Sequence, residues 1–86
     1  MQGKKVAVEV HHADGRILKQ EYRRKYLLET LQAIVEGDVE RVILPGLGEG
    51  KIAIVNEDGK ALGLPVNKSM PIFVGDVVIM DDADLD

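Results

Sequence analysis

The chain has 86 residues, of which 45% are hydrophobic and 3% aromatic, and it contains no cysteine. This length predicts a single domain over residues 1–86 with an aliphatic core, and the composition excludes disulfides and thiolate metal sites. The formal net charge of −4 argues against general binding to nucleic-acid backbones, which normally needs a basic face. No segment combines a basic start with a long apolar run, so we expect a soluble intracellular protein with no membrane contact.

The first elements in chain order form a predicted β-hairpin. Residues 4–12, KKVAVEVHH, alternate between valines and other side chains, which is typical of a half-buried strand. The Ala-Asp-Gly sequence at 13–15 has turn chemistry. Residues 16–22 are a weaker strand that we expect to pair back on the first.

A helix follows, because the hydrophobic period changes after Lys25. Apolar side chains at Leu27, Leu31, Ile34 and Val35 form one stripe of an amphipathic helix. Gly37 stands where a C-terminal cap is expected.

The second half of the chain predicts short strands. We expect strands at 38–45 and 51–56, a tight turn at 57–59, an irregular segment at 61–71 and an apolar final strand at 73–80. Residues 81–86, DDADLD, form a charged end that we expect to fray. One helix among short strands predicts an α+β fold with a mostly antiparallel sheet and one amphipathic helix.

The glycine loop at 46–50 is not a phosphate-binding loop. A P-loop needs Gly, four residues and then Gly-Lys before a helix, but counting back from Gly50-Lys51 reaches Pro45. A predicted strand follows the glycines, which excludes the dinucleotide fingerprint as well. We interpret the loop as a mobile hairpin connection that can still act as a lid.

Groups for catalysis or metal binding are few. His11 and His12 are adjacent, so on a strand they face opposite sides and cannot chelate one ion together. A weak site with Asp14 or two solvated strand-end histidines are the alternatives. Ser69 is the lone serine, and no His–acid pair has a recognisable catalytic spacing. We therefore expect a protein without enzymatic activity or cofactor.

Residues 22–26, YRRKY, are the only cationic run. Aromatic rings beside guanidinium groups suit stacking on a base while holding phosphate. Tyr22 and Arg24 are the candidate groups. The alternative is a solvated segment before the helix.

Three segments carry a resemblance to a known family: LQAIVEGDVERV at 31–42, VNEDGKALGLPVN at 55–67 and VGDVVI at 74–79. They resemble a family of small phage-borne domains that was long catalogued only as a domain of unknown function. Many members have Val-Gly-Gly where this chain has Val-Glu-Gly at 35–37. The glycine loop is not part of the family pattern.

The resemblance implies a phage origin and a small α+β unit. Several phage proteins of this general build sequester nucleotide immune signals and thereby silence host defences such as cyclic-oligonucleotide (CBASS) signalling. The leading hypothesis is a non-catalytic sponge for a cyclic dinucleotide such as cGAMP, acting in the host cytoplasm. We expect a homo-oligomer with ligand sites near subunit interfaces, because so small a chain needs walls from a neighbour.

The matching segment contains most of the candidate ligand-binding groups. Asn67 can hydrogen-bond a base edge, or it can cap its own loop. Pro65 offers a flat apolar surface, Lys60 and Lys68 can contact phosphate, and Asn56 faces the same turn. With the cationic run included, the predicted site is Tyr22, Arg24, Asn56, Lys60, Pro65, Asn67 and Lys68.

Two other functions remain open. The chain could inhibit a host protein by direct contact, with its acidic second half mimicking nucleic acid, since residues 37–86 carry four Lys/Arg against ten Asp/Glu. It could also be a structural accessory without a ligand.

Overall fold

The computed structural model describes residues 3–85. In chain order the elements are β1 (Lys5–His11), β2 (Ile17–Arg23), a 3₁₀ turn (Arg24–Tyr26), α1 (Leu27–Val35), β3 (Val39–Val42), β4 (Lys51–Asn56), β5 (Val77–Asp81) and a second 3₁₀ turn (Asp82–Asp84). The strands form one sheet in the order β2-β1-β5-β4-β3, and all neighbours are antiparallel. The predicted α+β fold, with an antiparallel sheet and one amphipathic helix, is confirmed.

The main core lies between α1 and one face of the sheet. Strand alternation places every second residue of β1 on this face, and the apolar stripe of α1 covers them. The buried members are Val6, Val8, Val10, Leu27, Leu31, Val35, Ile52, Ile54, Val78 and Met80. All are aliphatic or Met, as the low aromatic content predicted. This packing of α1 against the sheet fixes the strands, and the candidate sites described below lie at the ends of these strands.

The end of α1 differs in detail from the prediction. Glu36, and not Gly37, adopts the left-handed conformation, with φ of 63°. The Gly37 N–H closes the helix by donating to Gln32 O at 3.0 Å. Gly37 is required for another reason, because a Cβ there would lie 2.7 Å from Asn56 Nδ2.

The opposite face of the sheet is only partly covered. A smaller cluster of Ala53, Val55, Phe73 and Val77 lies there beneath the long connection between β4 and β5. The last strand was predicted over 73–80 but starts four residues later, because Gly75 has a φ of 75° and breaks the extended backbone. Before this break, Val74 pairs with Val66 in an isolated β-bridge that is not part of β5.

The acidic end, for which we predicted fraying over 81–86, makes defined contacts within the described residues. Asp81 is the last residue of β5, and its carboxylate lies 2.8 Å from Lys51 Nζ. Leu85 packs against the main core. Residues 81–85 thus have one apolar contact and flanking ion pairs. Asp86 lies outside the described residues, and the fraying of this end stays a prediction. Between residues 3 and 85 there is no helix with the length and apolarity needed to cross a membrane.

Candidate functional site

The predicted site residues fall into separate places. Pro65 and Lys68 line a groove beside the β1–β2 turn, which we call the turn site. Asn56 and Lys60 line a second groove under the β4–β5 connection, which we call the loop groove. The two grooves share no lining residue. The structure therefore brings the predicted residues together in pairs and not into one site.

Asn67 is a structural residue beneath the turn site. Its side chain is fully buried, and Nδ2 donates to the backbone oxygens of His11 and Gly75, both at 2.9 Å. Its Oδ1 accepts the backbone N–H groups of Ser69 at 3.1 Å and Met70 at 3.0 Å. These bonds use the hydrogen-bonding capacity of the amide. Asn67 thus caps its own loop, the second of the two roles considered, and has no group left for a base edge.

Asn56 plays the corresponding part beside the loop groove. Nδ2 donates to Val35 O at 3.0 Å, and Oδ1 accepts the Asp58 N–H at 2.7 Å. These bonds join the C-terminus of α1 to the end of β4 and to the following turn. Asn56 is 6% exposed, so it offers a ligand little beyond the wall of the groove.

Tyr22 and Arg24 lie away from both grooves. Tyr22 is paired with Val6 across β1 and β2 and is half-buried against the main core. Arg24 Nη1 lies 3.8 Å from Asp84 Oδ1. Neither residue lines the turn site or the loop groove. The cationic run therefore does not add to the site predicted from the 55–67 segment.

The turn site is an open groove of about 380 Å³ between the β1–β2 turn and the 65–68 segment. The Lys68 N–H donates to Ala13 O at 3.0 Å and holds the two loops together. The exposed side chains of Pro65 and Val66 form an apolar wall. The lining residues are His12, Ala13, Asp14, Arg16, Pro65, Val66, Lys68 and Asp76.

The carboxylates of the turn site already have partners. Asp76 accepts from His12 Nδ1 and from the Ala13 N–H, both at 2.8 Å. Asp14 accepts the backbone N–H of Arg16 at 3.0 Å and its Nε at 2.8 Å. The backbone hydrogen bond, aided by the guanidinium, lowers the pKa of Asp14 from its ordinary value of 3.8. Among residues 3–85 no carboxylate lies within 4.0 Å of the Lys68 ammonium, so this cation is available to an anionic ligand.

The loop groove has the opposite electrostatic character. It has a volume of about 500 Å³ and an apolar floor of Val42, Leu44, Val55 and Phe73. Its charged lining residues are Glu40, Glu57, Asp58 and Lys60. Three carboxylates against one ammonium repel an anion, whereas an apolar group flanked by cations would be attracted.

A serine, a histidine and a carboxylate do meet in space, although sequence spacing did not indicate it. His11 Nδ1 lies 2.9 Å from Ser69 Oγ, and Nε2 donates to Glu9 Oε1 at 2.7 Å. However, the Ser69 and Met70 N–H groups are bonded to Asn67. These amides cannot act as an oxyanion hole, which acyl transfer needs. The cluster is best described as a structural contact between β1 and the β4–β5 connection, which carries Ser69.

Sequence reasoning missed Arg16 and Asp76 as lining residues of the turn site, and it considered His12 only for a weak metal site with Asp14. The Asp-Gly turn was a signal for Arg16, because Asp14 is placed to bond two residues ahead. Asp76 is 64 residues from His12, and no local pattern links them. Within residues 3–85, His, Asp and Glu side chains form no group of three placed to hold a metal ion.

Comparison with known proteins gives a family without an assigned activity. No curated protein and no solved structure matches the chain. One family model matches residues 3–86, and its description is a domain of unknown function, DUF3846. The match covers nearly the whole chain, including both grooves and the sheet that positions them. The chain belongs to the DUF3846 family.

Proposed function

We propose that this protein binds an anionic nucleotide at the turn site and sequesters it without cleaving it. The observation that carries the proposal is the meeting of Pro65 and Lys68 with His12 and Arg16 in one groove. In the finer form of the proposal, the protein comes from a phage, acts in the host cytoplasm and removes a cyclic dinucleotide such as cGAMP from CBASS-type signalling. That finer form rests on the resemblance described above.

The chemistry of the groove supports an anionic ligand with a flat apolar part. Lys68 offers an ammonium that no carboxylate among residues 3–85 neutralises, and Arg16 is 65% exposed although it contacts Asp14. A base can lie on the apolar wall of Pro65 and Val66, while these cations contact phosphate oxygens. The loop groove lacks this combination because its charged lining is mainly acidic.

The size of the groove favours a shared site. A volume of about 380 Å³ is near the lower end of the range for small-molecule sites. One nucleotide unit of a cyclic dinucleotide can occupy it, and a neighbouring subunit would then cover the other unit. Sequestration needs only this enclosure, with no group placed for chemistry.

The test is a thermal-shift screen of the purified chain against cyclic di- and trinucleotides. A ligand at 100 times its Kd adds about 2.7 kcal/mol to the free energy of unfolding, which is a shift of several degrees in a domain of this size. Lys68→Ala and Arg16→Ala should abolish the shift, whereas Lys60→Ala, a matched cation in the loop groove, should keep it. The ligand should be recovered intact after heating.

Three results would overturn the proposal. A flat panel contradicts nucleotide binding altogether. A shift that Lys60→Ala abolishes and Lys68→Ala keeps moves the ligand to the loop groove. A cleaved ligand would contradict sequestration and would direct attention to the Ser69–His11–Glu9 cluster.

Direct inhibition of a host protein is a second candidate, and the loop groove favours it. The aspartates near the C-terminus are engaged within the chain, since Asp81 contacts Lys51 and Asp82 contacts Arg41. An acidic surface for a partner is therefore better supplied by Glu57 and Asp58 at the loop groove. In that case Glu57→Gln and Asp58→Asn together should weaken capture of the partner, and Lys68→Ala should not.

A further inference from the structure

The outer edge of β2 has no neighbouring strand among residues 3–85. This strand is at the end of the sheet, and six of its seven residues are exposed. Ile17 is 50% and Leu18 41% exposed. A strand of this length with exposed apolar side chains can pair with another strand, and its Lys19 and Glu21 side chains make that pairing depend on the charges opposite them. The other edge strand, β3, has only four residues.

The backbone groups that point outward on β2 follow from its hydrogen bonds to β1. Arg24 N bonds to Lys4 O and His12 N to Arg16 O, and the register pairs Val8 with Gln20. Hydrogen-bonded and non-hydrogen-bonded pairs alternate along an antiparallel ladder. Gln20 therefore directs its N–H and C=O toward β1, while Lys19 and Glu21 direct theirs outward.

We propose that two copies of the chain pair through their β2 strands, antiparallel about a two-fold axis at Gln20. In this register Lys19 lies opposite the partner subunit's Glu21, and Glu21 lies opposite the partner subunit's Lys19. On the other face Leu18 lies opposite the partner subunit's Tyr22. The outward backbone groups of Lys19 and Glu21 meet those of the partner, so the two sheets become one of ten strands.

Charge selects this register over its neighbours. A shift that keeps the outward groups facing one another moves the axis to Lys19 or to Glu21. The first shift places two lysines opposite each other and the second places two glutamates, and like charges directly opposite are destabilising. Only the register centred on Gln20 pairs opposite charges and retains all seven residues of the strand.

The pairing also enlarges a groove on the open face of the sheet. A groove of about 650 Å³ is lined by Glu9, Lys19, Glu21 and Lys51 among others. It reaches the β2 edge, so the partner subunit's Lys19 and Glu21 would form its far wall. This interface is independent of the proposed nucleotide, because it does not involve the turn site.

Charge reversal tests the register in the full chain. Sedimentation equilibrium of the wild type should show a monomer–dimer equilibrium, with the mass rising above 9.4 kDa as concentration increases. Lys19→Glu and Glu21→Lys should each raise the dimer Kd about tenfold or more, because each places like charges opposite one another at two symmetric positions. The double variant keeps the net charge and should restore the wild-type Kd within about threefold.

A disulfide tests the two-fold axis directly. Residues at a non-hydrogen-bonded pair have Cα atoms about 4.5 Å apart, which is within disulfide range. The chain has no cysteine, so Gln20→Cys should give a covalent dimer under mild oxidation, and Ala33→Cys, exposed on α1, should not. A chain that stays monomeric to millimolar concentration overturns the interface. Failure of Gln20→Cys to cross-link, or of the double reversal to restore the wild-type Kd, overturns the register.

Discussion

The turn site and the loop groove are built alike and charged differently. Each is supported by one buried asparagine, Asn67 beneath the first and Asn56 beside the second, and each amide holds a loop to the end of a strand. The turn site has a free ammonium and carboxylates that are already paired. The loop groove has three carboxylates and one lysine. Similar supports therefore carry grooves of different charge, and under the proposed function these charges decide which ligand each groove attracts.

The largest expected effect is the loss of the support beneath the turn site. Asn67→Ala removes five hydrogen bonds, four to backbone groups and one to Ser69 Oγ, and leaves buried backbone groups unpaired, so we expect a loss of about 3 kcal/mol in the free energy of unfolding. Asn56→Ala removes fewer bonds and should cost about 2 kcal/mol. Urea unfolding measures both losses in free energy. If Asn56→Ala cost as much as Asn67→Ala, or more, the comparison would be contradicted.

These two asparagines also show where sequence reasoning stops. Both were predicted as ligand groups because they lie in the segment that carries the family resemblance, and an amide can hydrogen-bond a base edge. For Asn67, a cap of its own loop was the alternative. The partners of Asn67 include His11 O, 56 residues away, and no local pattern encodes such a contact. By contrast, the alternation of β1 and the stripe of α1 are local patterns, and both elements were predicted.

Local sequence patterns did not predict the order of the strands in the sheet either. The C-terminal β5 lies between β1 and β4 in the middle of the sheet. Its apolar faces indicated a central strand or an interface strand, but not which neighbours it has. The pairing of Pro65 and Lys68 with Arg16 depends on that order and on the Lys68–Ala13 bond, so only the 65–68 side of the turn site was predictable.

A second test of the comparison disturbs the Asn56 amide beside the loop groove from Gly37, just after the end of α1. A Cβ at Gly37 would lie 2.7 Å from Asn56 Nδ2, which displaces the amide from Val35 O. We expect Gly37→Ala to cost about 1–2 kcal/mol in the free energy of unfolding. The turn site should keep its ligand response in the same protein. An unchanged melting temperature would show that Asn56 is not held as described.

Glu36→Gly sharpens the comparison by changing stability at a residue that lines neither groove. Glu36 has a φ of 63°, a conformation that glycine adopts without a Cβ penalty. We expect the variant to be more stable by about 0.5 kcal/mol, since the greater freedom of glycine in the unfolded chain offsets part of the gain. Thermal unfolding measures the difference, and a lower melting temperature would contradict the account.

The smallest expected effect concerns the pKa of Asp14 at the turn site. Its pKa is lower in the folded protein because Arg16 donates to it, so its contribution to stability is present at neutral pH. That contribution is lost as the pH falls below 3.8 and through the folded pKa. Carbon-detected NMR of the carboxyl group should give a midpoint below 3.8, and Arg16→Ala should raise it. A midpoint at or above the ordinary value would contradict the contact.

The most direct test of the central claim is an amide NMR titration of the chain with a cyclic dinucleotide, starting with cyclic GMP–AMP. If the turn site binds the anionic ligand, the shift changes should be concentrated at residues 12–16 and 65–68, and Lys68→Ala should remove them. Changes concentrated at 57–61 and 72–74, or no change with any ligand that the thermal screen supplies, would contradict it.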